Sequence, residues 1–400
     1  MTLFDPVAIG GKTAPNRFAA LPMEGNDAAP DGSPSDRTIE RYRELARGGW
    51  GVIMLEAVAP CLSGRGRTKQ LVLTKDTLDG FRRLIDAMRA QAPDTLIFIQ
   101  INHAGRYALT PQIAYRHPEL DAWHKITPDT PILTTQELDI ITQKMCWAAD
   151  CAARTGADGA DLKACHGYLG IELLRPANVR SDPYGGPFLN RARLFREMLA
   201  AIHSEISSGF LAGSRISLFE DIEGGLGDTA DSDAAPLDPE VQTFIDLLRA
   251  GGATWICETA GNPYLNPQLT RPVRNDGARF RTMEQHHSLT ARVKNAFPDL
   301  CLIGTGYTLF GPDMPAVASA ALEQGRVDMI GLGRQNLADP LIPRKIENGD
   351  AAAVNWCKAC VTNNCAWLLR NNAEAGCIVY NKYYRNRLKQ AKKAQPDASD

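Results

Sequence analysis

The sequence carries no surplus of either charge: 44 Lys and Arg stand against 46 Asp and Glu, a formal net charge of −2. Without a basic face able to neutralise many phosphates, a nucleic-acid partner is excluded and a small molecule becomes the expected ligand. No apolar run approaches the length that spans a bilayer, and Met1-Thr-Leu-Phe-Asp-Pro lacks a charged segment followed by an apolar one. These absences predict a soluble, cytoplasmic protein with no membrane contact. A Gly-x-Gly-x-x-Gly turn is missing after the first candidate strand, which argues against an open, doubly wound sheet. Six of the ten cysteines (Cys61, Cys146, Cys151, Cys165, Cys257, Cys301) are scattered among apolar or small neighbours, as free thiols in a reducing compartment would be, and no disulfide is expected.

What is present is alternation. Short runs rich in Val, Ile and Leu predict strands at 17–21, 51–57, 96–101, 159–163, 213–217, 254–258, 301–304 and 328–331. Helical periodicity follows each, at 37–47, 78–91, 135–155, 190–207, 239–250, 283–295, 314–323 and 338–348. Eight strands each followed by a helix predict an α/β fold, a (β/α)8 TIM barrel over residues 1–350. A Cys-rich extension at 351–388 and a polar, frayed tail at 389–400 would follow. Long polar loops at 167–189, 219–238 and 259–282 fall after strands four to six, on the face where a barrel assembles its site.

Motifs do sit at the predicted strand ends. Pro22-Met23-Glu24 follows the first strand, Glu56-Ala57 ends the second, and the third runs into QINHAGRY from Gln100 to Tyr107. The fourth leads into Lys163-Ala-Cys-His166-Gly-Tyr168, the fifth carries Arg215, and the seventh and eighth end in GTG (Gly304 to Gly306) and GLGR (Gly331 to Arg334). Glycine turns after the last two strands let backbone N–H groups approach an anion, and Arg334 adds a fork-shaped cation matched to phosphate. Either turn alone reads equally well as a plain turn.

These residues resemble the Old Yellow Enzyme family of FMN-dependent ene-reductases. The likeness is greatest to its iron–sulfur branch, which includes 2,4-dienoyl-CoA reductase and trimethylamine dehydrogenase. The resemblance covers about residues 3 to 385 and rests on LFDP, NRF at Asn16, PM at Pro22, QINHAGRY, DGADLKACHGYL, RSDPYGGPFLNRAR from Arg180 and GLGRQNLADP. It implies FMN across the C-terminal ends of the strands. Pro22, Met23 and Ala57 would cradle the isoalloxazine, Gln100 would meet its pyrimidine edge, and Arg215 would stand by the N1–C2 carbonyl. Gly304, Gly306, Gly333 and Arg334 would grip the phosphate. His166 and Tyr168 match the pair that receives the substrate's electron-withdrawing group and supplies a proton. The chemistry agrees: hydride arriving at a β-carbon builds negative charge on a conjugated oxygen, which needs a fixed donor, and a neutral phenol can protonate the α-carbon.

Lys163 stands where most such enzymes have His or Tyr. An ammonium beside His166 favours a carboxylate or enolate-like oxygen and repels a cationic amine, unless Lys163 is simply paired with Glu56 or Glu172. Glu24 takes a place near the flavin where relatives often have a small residue. His103 and Arg106 rank as secondary candidates that bind flavin or order the strand-three loop. Tyr264 is either a wall of the substrate pocket or part of a plain turn.

The remaining cysteines, Cys357, Cys360, Cys365 and Cys377, are spaced C-x2-C-x4-C-x11-C. The branch named above has a similar run for a [4Fe–4S] cluster; structural zinc is the alternative, weakened by the lack of a second C-x2-C. With no second nucleotide-binding domain in sight, electrons are expected from NAD(P)H acting directly or from a separate electron-transfer protein. The expected function is reduction of an activated C=C bond in an enone, enoate or enoyl thioester by a homo-oligomeric enzyme. Oxidative demethylation of an amine and a metal-stabilised, non-catalytic binding barrel are the alternatives.

Overall fold

The apolar runs close into one parallel barrel in a computed structural model that describes residues 1–206, 209–229, 232–273, 279–360 and 364–394. Its strands are β1 (Phe18–Ala20), β2 (Val52–Val58), β3 (Leu96–Ile101), β4 (Gly159–Leu162), β5 (Leu211–Ser217), β6 (Ala253–Thr259), β7 (Cys301–Gly304) and β8 (Met329–Leu332). Each pairs with its neighbour in sequence, and β8 returns to β1 with Ile330 opposite Phe18, so no edge is left open. Helices cover the outside and side chains fill the inside, which is why these strands read as continuous apolar runs.

Phe98 and Trp255 stack inside the barrel, with ring centroids 4.9 Å apart and planes 5° from parallel. Gly213 makes room for them, because a Cβ there would stand 2.2 Å from the indole. The end at which the strands begin is closed by a hairpin, Val7–Ile9 with Lys12–Ala14, that periodicity did not show because each strand has three residues. Val7, Ile9 and Ala14 join the apolar cluster that holds Phe98 and Trp255.

The outer helices are α1 (Asp36–Ala46), α2 (Leu78–Arg89), α3 (Thr135–Arg154), α4 (Arg193–Glu205), α5 (Pro239–Ala250), α6 (Arg279–Ala296) and α7 (Met314–Glu323). Reciprocal capping bonds start α1 at Ser35 and α3 at Thr134, whose hydroxyl accepts from the Glu137 N–H while the Glu137 carboxylate accepts from the Thr134 N–H. Two expected helices are broken. The 190–207 segment is a turn of helix, Phe188–Arg191, offset at Ala192 from α4. The helix expected at 338–348 is helical only over α9 (Ile342–Glu347), and a separate short helix, α8 (Arg334–Ala338), ends at the first residue of that segment. Pro340 separates them by forcing Asp339 out of the helical region, to φ −145° and ψ 97°.

Beyond the barrel lie α10 (Asn364–Arg370) and α11 (Lys382–Ala394), so the tail expected to fray is helical as far as Ala394; 395–400 lie outside the described residues. This extension docks on the rim, where Ala375 N–H donates to Gly25 and Cys357 N–H to Gln335 Oε1. Among the described residues no helix is long and apolar enough to cross a membrane.

Candidate active site

The C-terminal ends of the strands and the docked extension frame a cleft that is open at its mouth. Pro22, Met23, Gln100, Lys163, His166, Tyr168, Arg215, Gly306, Gly333 and Arg334, all singled out in the sequence, line it together. Ala57 and Gly304 do not. The Ala57 carbonyl accepts from Gln70 Nε2 at 2.9 Å, and Gly304 faces the helix layer, where a Cβ would stand 2.5 Å from Val327. His103 and Arg106 also lie outside the cleft. Arg106 is fully buried and bonded to Glu172, Asp121 and the Tyr115 carbonyl, which orders the loop after β3.

Asp161 organises one wall. Its carboxylate accepts from Gln100 Nε2 at 2.5 Å and from the Arg215 N–H at 2.8 Å, fixing both residues on the two strands that flank β4. Burial raises the Asp161 pKa, opposed by these bonds and by the Arg215 and Lys163 charges. Arg215 keeps a buried Nε without a partner, and so does Arg271, an arginine of the loop after β6 that sequence patterns gave no reason to choose. At the opposite wall Gly306 takes φ 90°, a left-handed conformation open to glycine, while Gly333 opens α8 and Arg334 donates to the Pro272 carbonyl at 2.9 Å. Orphaned buried donors on one side and glycine turns beside an arginine on the other fit a flat, hydrogen-bonding ring system carrying a phosphate.

His166 sits at φ 64° with its Nε2 3.3 Å from Thr259 Oγ1. Burial, then the Arg215, Lys163 and Arg271 charges, hold its pKa well below the ordinary value, so the imidazole is neutral. Lys163 is not paired with either carboxylate weighed for it: Glu56 is bonded to Arg41, and Glu172 to Arg106. Its Nζ lies 4.2 Å from the centre of the Tyr168 ring, and burial lowers its pKa.

The Tyr168 hydroxyl is 2.7 Å from Tyr264 Oη and 3.4 Å from Glu24 Oε1. Burial, then the Glu24 carboxylate, push its pKa well above 10 against the opposing Arg67 charge, so the phenol keeps its proton. Tyr264 stacks on Tyr107 with centroids 4.2 Å apart and accepts from Arg67 Nη2 at 2.9 Å. Tyr264 is therefore a wall of the pocket. Arg67, from the loop after β2, is a second residue that the sequence did not reveal.

Cys357, Cys360, Cys365 and Cys377 all line one small cavity beside the cleft, and Cys365, Arg334 and Leu337 line both spaces. Burial raises the thiol pKa values of Cys357, Cys360 and Cys377, that of Cys357 to about 11. Among the described residues no group of three or more His, Cys, Asp or Glu side chains is gathered tightly enough to hold a metal ion.

Residues 2–352 match the model of the NADH:flavin oxidoreductase / NADH oxidase family. The chain is 30% identical to the NADH oxidase of Thermoanaerobacter brockii across 90% of this chain and 52% of that protein. It is 28% identical to the cinnamate reductase of Clostridium sporogenes across 94% and 57%. Among solved structures, the complex of 2-naphthoyl-CoA reductase with 2-naphthoyl-CoA superposes with a TM-score of 0.80 at 25% identity, covering 97% of this chain and 58% of the other. The Old Yellow Enzyme homologue of Zymomonas mobilis shares the fold with a TM-score of 0.62 at 21% identity, covering 87% and 93%. The chain thus spans about half the length of the curated relatives it matches.

Proposed function

The chain belongs to the NADH:flavin oxidoreductase / NADH oxidase family, and from that premise we propose that this flavin oxidoreductase uses FMN to reduce a C=C bond conjugated to a carbonyl or carboxylate. The observation that carries the reading is the meeting of a proton-bearing Tyr168, a neutral His166 and Lys163 on one wall of the cleft. Bound FMN would supply hydride from N5. Pro22, Met23, Gln100 and Arg215 would hold its ring and Gly306, Gly333 and Arg334 its phosphate, with Ala57 and Gly304 supporting from behind. His166 N–H and the Lys163 ammonium donate to the substrate oxygen as its charge grows, and the Tyr168 hydroxyl gives its proton to the α-carbon.

A cinnamate reductase and a 2-naphthoyl-CoA reductase among the similar proteins support a conjugated acid or thioester as substrate. Amine demethylation fits less well, because Lys163, Arg67, Arg215 and Arg271 would all face a cationic substrate. Although the four cysteines are not drawn together as ligands of a single ion, their C-x2-C-x4-C-x11-C spacing and shared cavity favour a [4Fe–4S] cluster as the group they would hold, and Cys365 would place it beside the cleft. NADH would be the reductant, directly or through another electron-transfer protein.

The test follows flavin reoxidation by trans-cinnamate and by 2-cyclohexen-1-one as probe alkenes. Tyr168→Phe is expected to keep flavin and to slow reoxidation by about 10²-fold or more; reoxidation at the wild-type rate removes Tyr168 as the acid.

A further inference from the structure

The hydrogen bonds around Tyr168 have a direction. Arg67 can only donate, and its Nη2 donates to Tyr264 Oη at 2.9 Å. The proton of Tyr264 then has the Tyr168 oxygen 2.7 Å away. With its oxygen receiving that proton, Tyr168 has its own O–H free to point elsewhere, toward Glu24 Oε1 at 3.4 Å or toward a ligand in the cleft. The chain Arg67 to Tyr264 to Tyr168 is thus an ordered row of donors ending at the phenol.

The parts of this row are held from outside it. Asn262 Oδ1 accepts from the Tyr264 N–H at 3.0 Å and Asn262 Nδ2 donates to Tyr107 Oη at 2.7 Å, so the stacked ring pair is tied to its own loop. The loop of Arg67 is tied to the end of β2 by Gln70, whose Oε1 accepts from Gly66 N–H at 2.7 Å and whose Nε2 donates to the Ala57 carbonyl. Arg67 and Glu24 are each 14% exposed, so the outer end of the row reaches solvent while Tyr168 is buried.

The geometry points to Arg67 and Tyr264 as positioning residues that make Tyr168 a stronger acid during turnover, by donating toward the phenolate that forms as its proton leaves. The inference rests on Tyr168 being the proton donor. In that step the β-carbon would take the hydride that bound, reduced FMN supplies, the π electrons would move toward the conjugated oxygen, and the Tyr168 O–H bond would break as the enolate pair at the α-carbon takes the proton. The negative charge left on Tyr168 Oη meets the Tyr264 hydroxyl, polarised by the Arg67 guanidinium behind it, and the Lys163 ammonium near its ring face. A solvent proton then restores the phenol. Glu24 acts with the opposite sign, because its carboxylate disfavours the phenolate at 3.4 Å.

The test compares Tyr264→Phe, Arg67→Gln, their combination, Arg67→Lys and Tyr168→Phe in the holoenzyme, with 2-cyclohexen-1-one as the probe. Each of Tyr264→Phe and Arg67→Gln is expected to slow flavin reoxidation on the order of tenfold to a hundredfold and to enlarge its solvent deuterium isotope effect. Flavin content should stay unchanged. Because the two act in series, the double variant should be no slower than the worse single one, and Arg67→Lys should recover part of the rate. A fluorotyrosine placed at position 168, followed by fluorine NMR, should titrate at higher pH in both variants. Multiplying losses in the double variant, an unchanged isotope effect or an unmoved titration would overturn the inference. Slow Tyr168→Phe with normal Tyr264→Phe sinks the inference alone, whereas normal Tyr168→Phe sinks the reading beneath it.

Discussion

His286 Nδ1 lies 2.5 Å from Glu258 Oε1 inside the wall of the cleft, and His286 Nε2 lies 2.8 Å from the Leu269 carbonyl. Both ring nitrogens face acceptors, so both carry protons and the pair is an imidazolium against a carboxylate. Burial alone would lower the His286 pKa; the Glu258 charge and the two hydrogen bonds outweigh it, and the net shift is upward. The second Glu258 oxygen accepts from the Thr305 N–H at 3.2 Å and from the Thr305 hydroxyl at 2.9 Å, which steadies the turn just before Gly306. Glu258→Gln is expected to cost about 3–5 kcal/mol of unfolding free energy and to weaken retention of FMN, read by flavin release on dilution. The pH sign follows from the raised pKa. The His286 contribution is complete below the unfolded value near 6.5 and fades as pH rises through the folded one. Stability measured from mildly acid to alkaline pH should therefore fall less steeply in His286→Asn than in the wild type.

Asp182 works at the other end of the scale. Bonds from Arg180 hold its carboxyl down to about 2 against a smaller opposing effect of burial, helped by Thr135 Oγ1 and the Tyr184 N–H. A folded pKa below the unfolded one gives stability that is present above about pH 3.9 and is lost as pH falls toward 2. Urea midpoints at pH 5 and pH 2.5 should lie closer together in Asp182→Asn; an unchanged gap would assign the acid sensitivity to other carboxylates.

Gly213→Ala is expected to destabilise the barrel by about 1–3 kcal/mol or more, because its new Cβ must share space with the Trp255 ring at 2.2 Å. The same change made together with Trp255→Leu should cost less than the two separate losses combined, since both act on one contact. Additive losses in thermal unfolding would mean that the indole moves aside freely.

Metal content tests the cysteine cavity directly. Anaerobically purified protein is expected to hold about four irons per chain and to lose most of them in Cys357→Ser or Cys377→Ser. Cys301→Ser, inside the barrel wall, should keep its iron. Zinc in place of iron, or iron unchanged in Cys357→Ser, would refute the cluster.

The barrel was legible because a strand buried on both faces leaves an unbroken apolar run, as Val52–Val58 does. Its cleft was legible because barrels place chemistry at strand ends, which is where Lys163, His166, Arg215 and Gly333 fall. The N-terminal hairpin escaped because three-residue strands show no period. The break at Asp339 is written in Pro340, which bars the residue before it from the helical region. Arg67 and Arg271 come from loops whose course is set by tertiary contacts, such as those of Gln70 and Asn262, and nothing local marks them. Glu258 carried a usable sign, a carboxylate closing an apolar strand, but its partner His286 is 28 residues away and only the fold brings them together.

The hairpin that plugs the start of the barrel also bears on the order of events in turnover. With Val7, Ile9 and Ala14 filling that end, small molecules reach the cleft from the rim. A nicotinamide donor and an alkene would then take turns at one doorway, the ping-pong pattern in which initial-rate plots against either reactant run parallel. Were electrons to arrive through a cluster at the four cysteines, as proposed above, reduction would need no doorway and would proceed with the alkene already seated, and the plots would intersect.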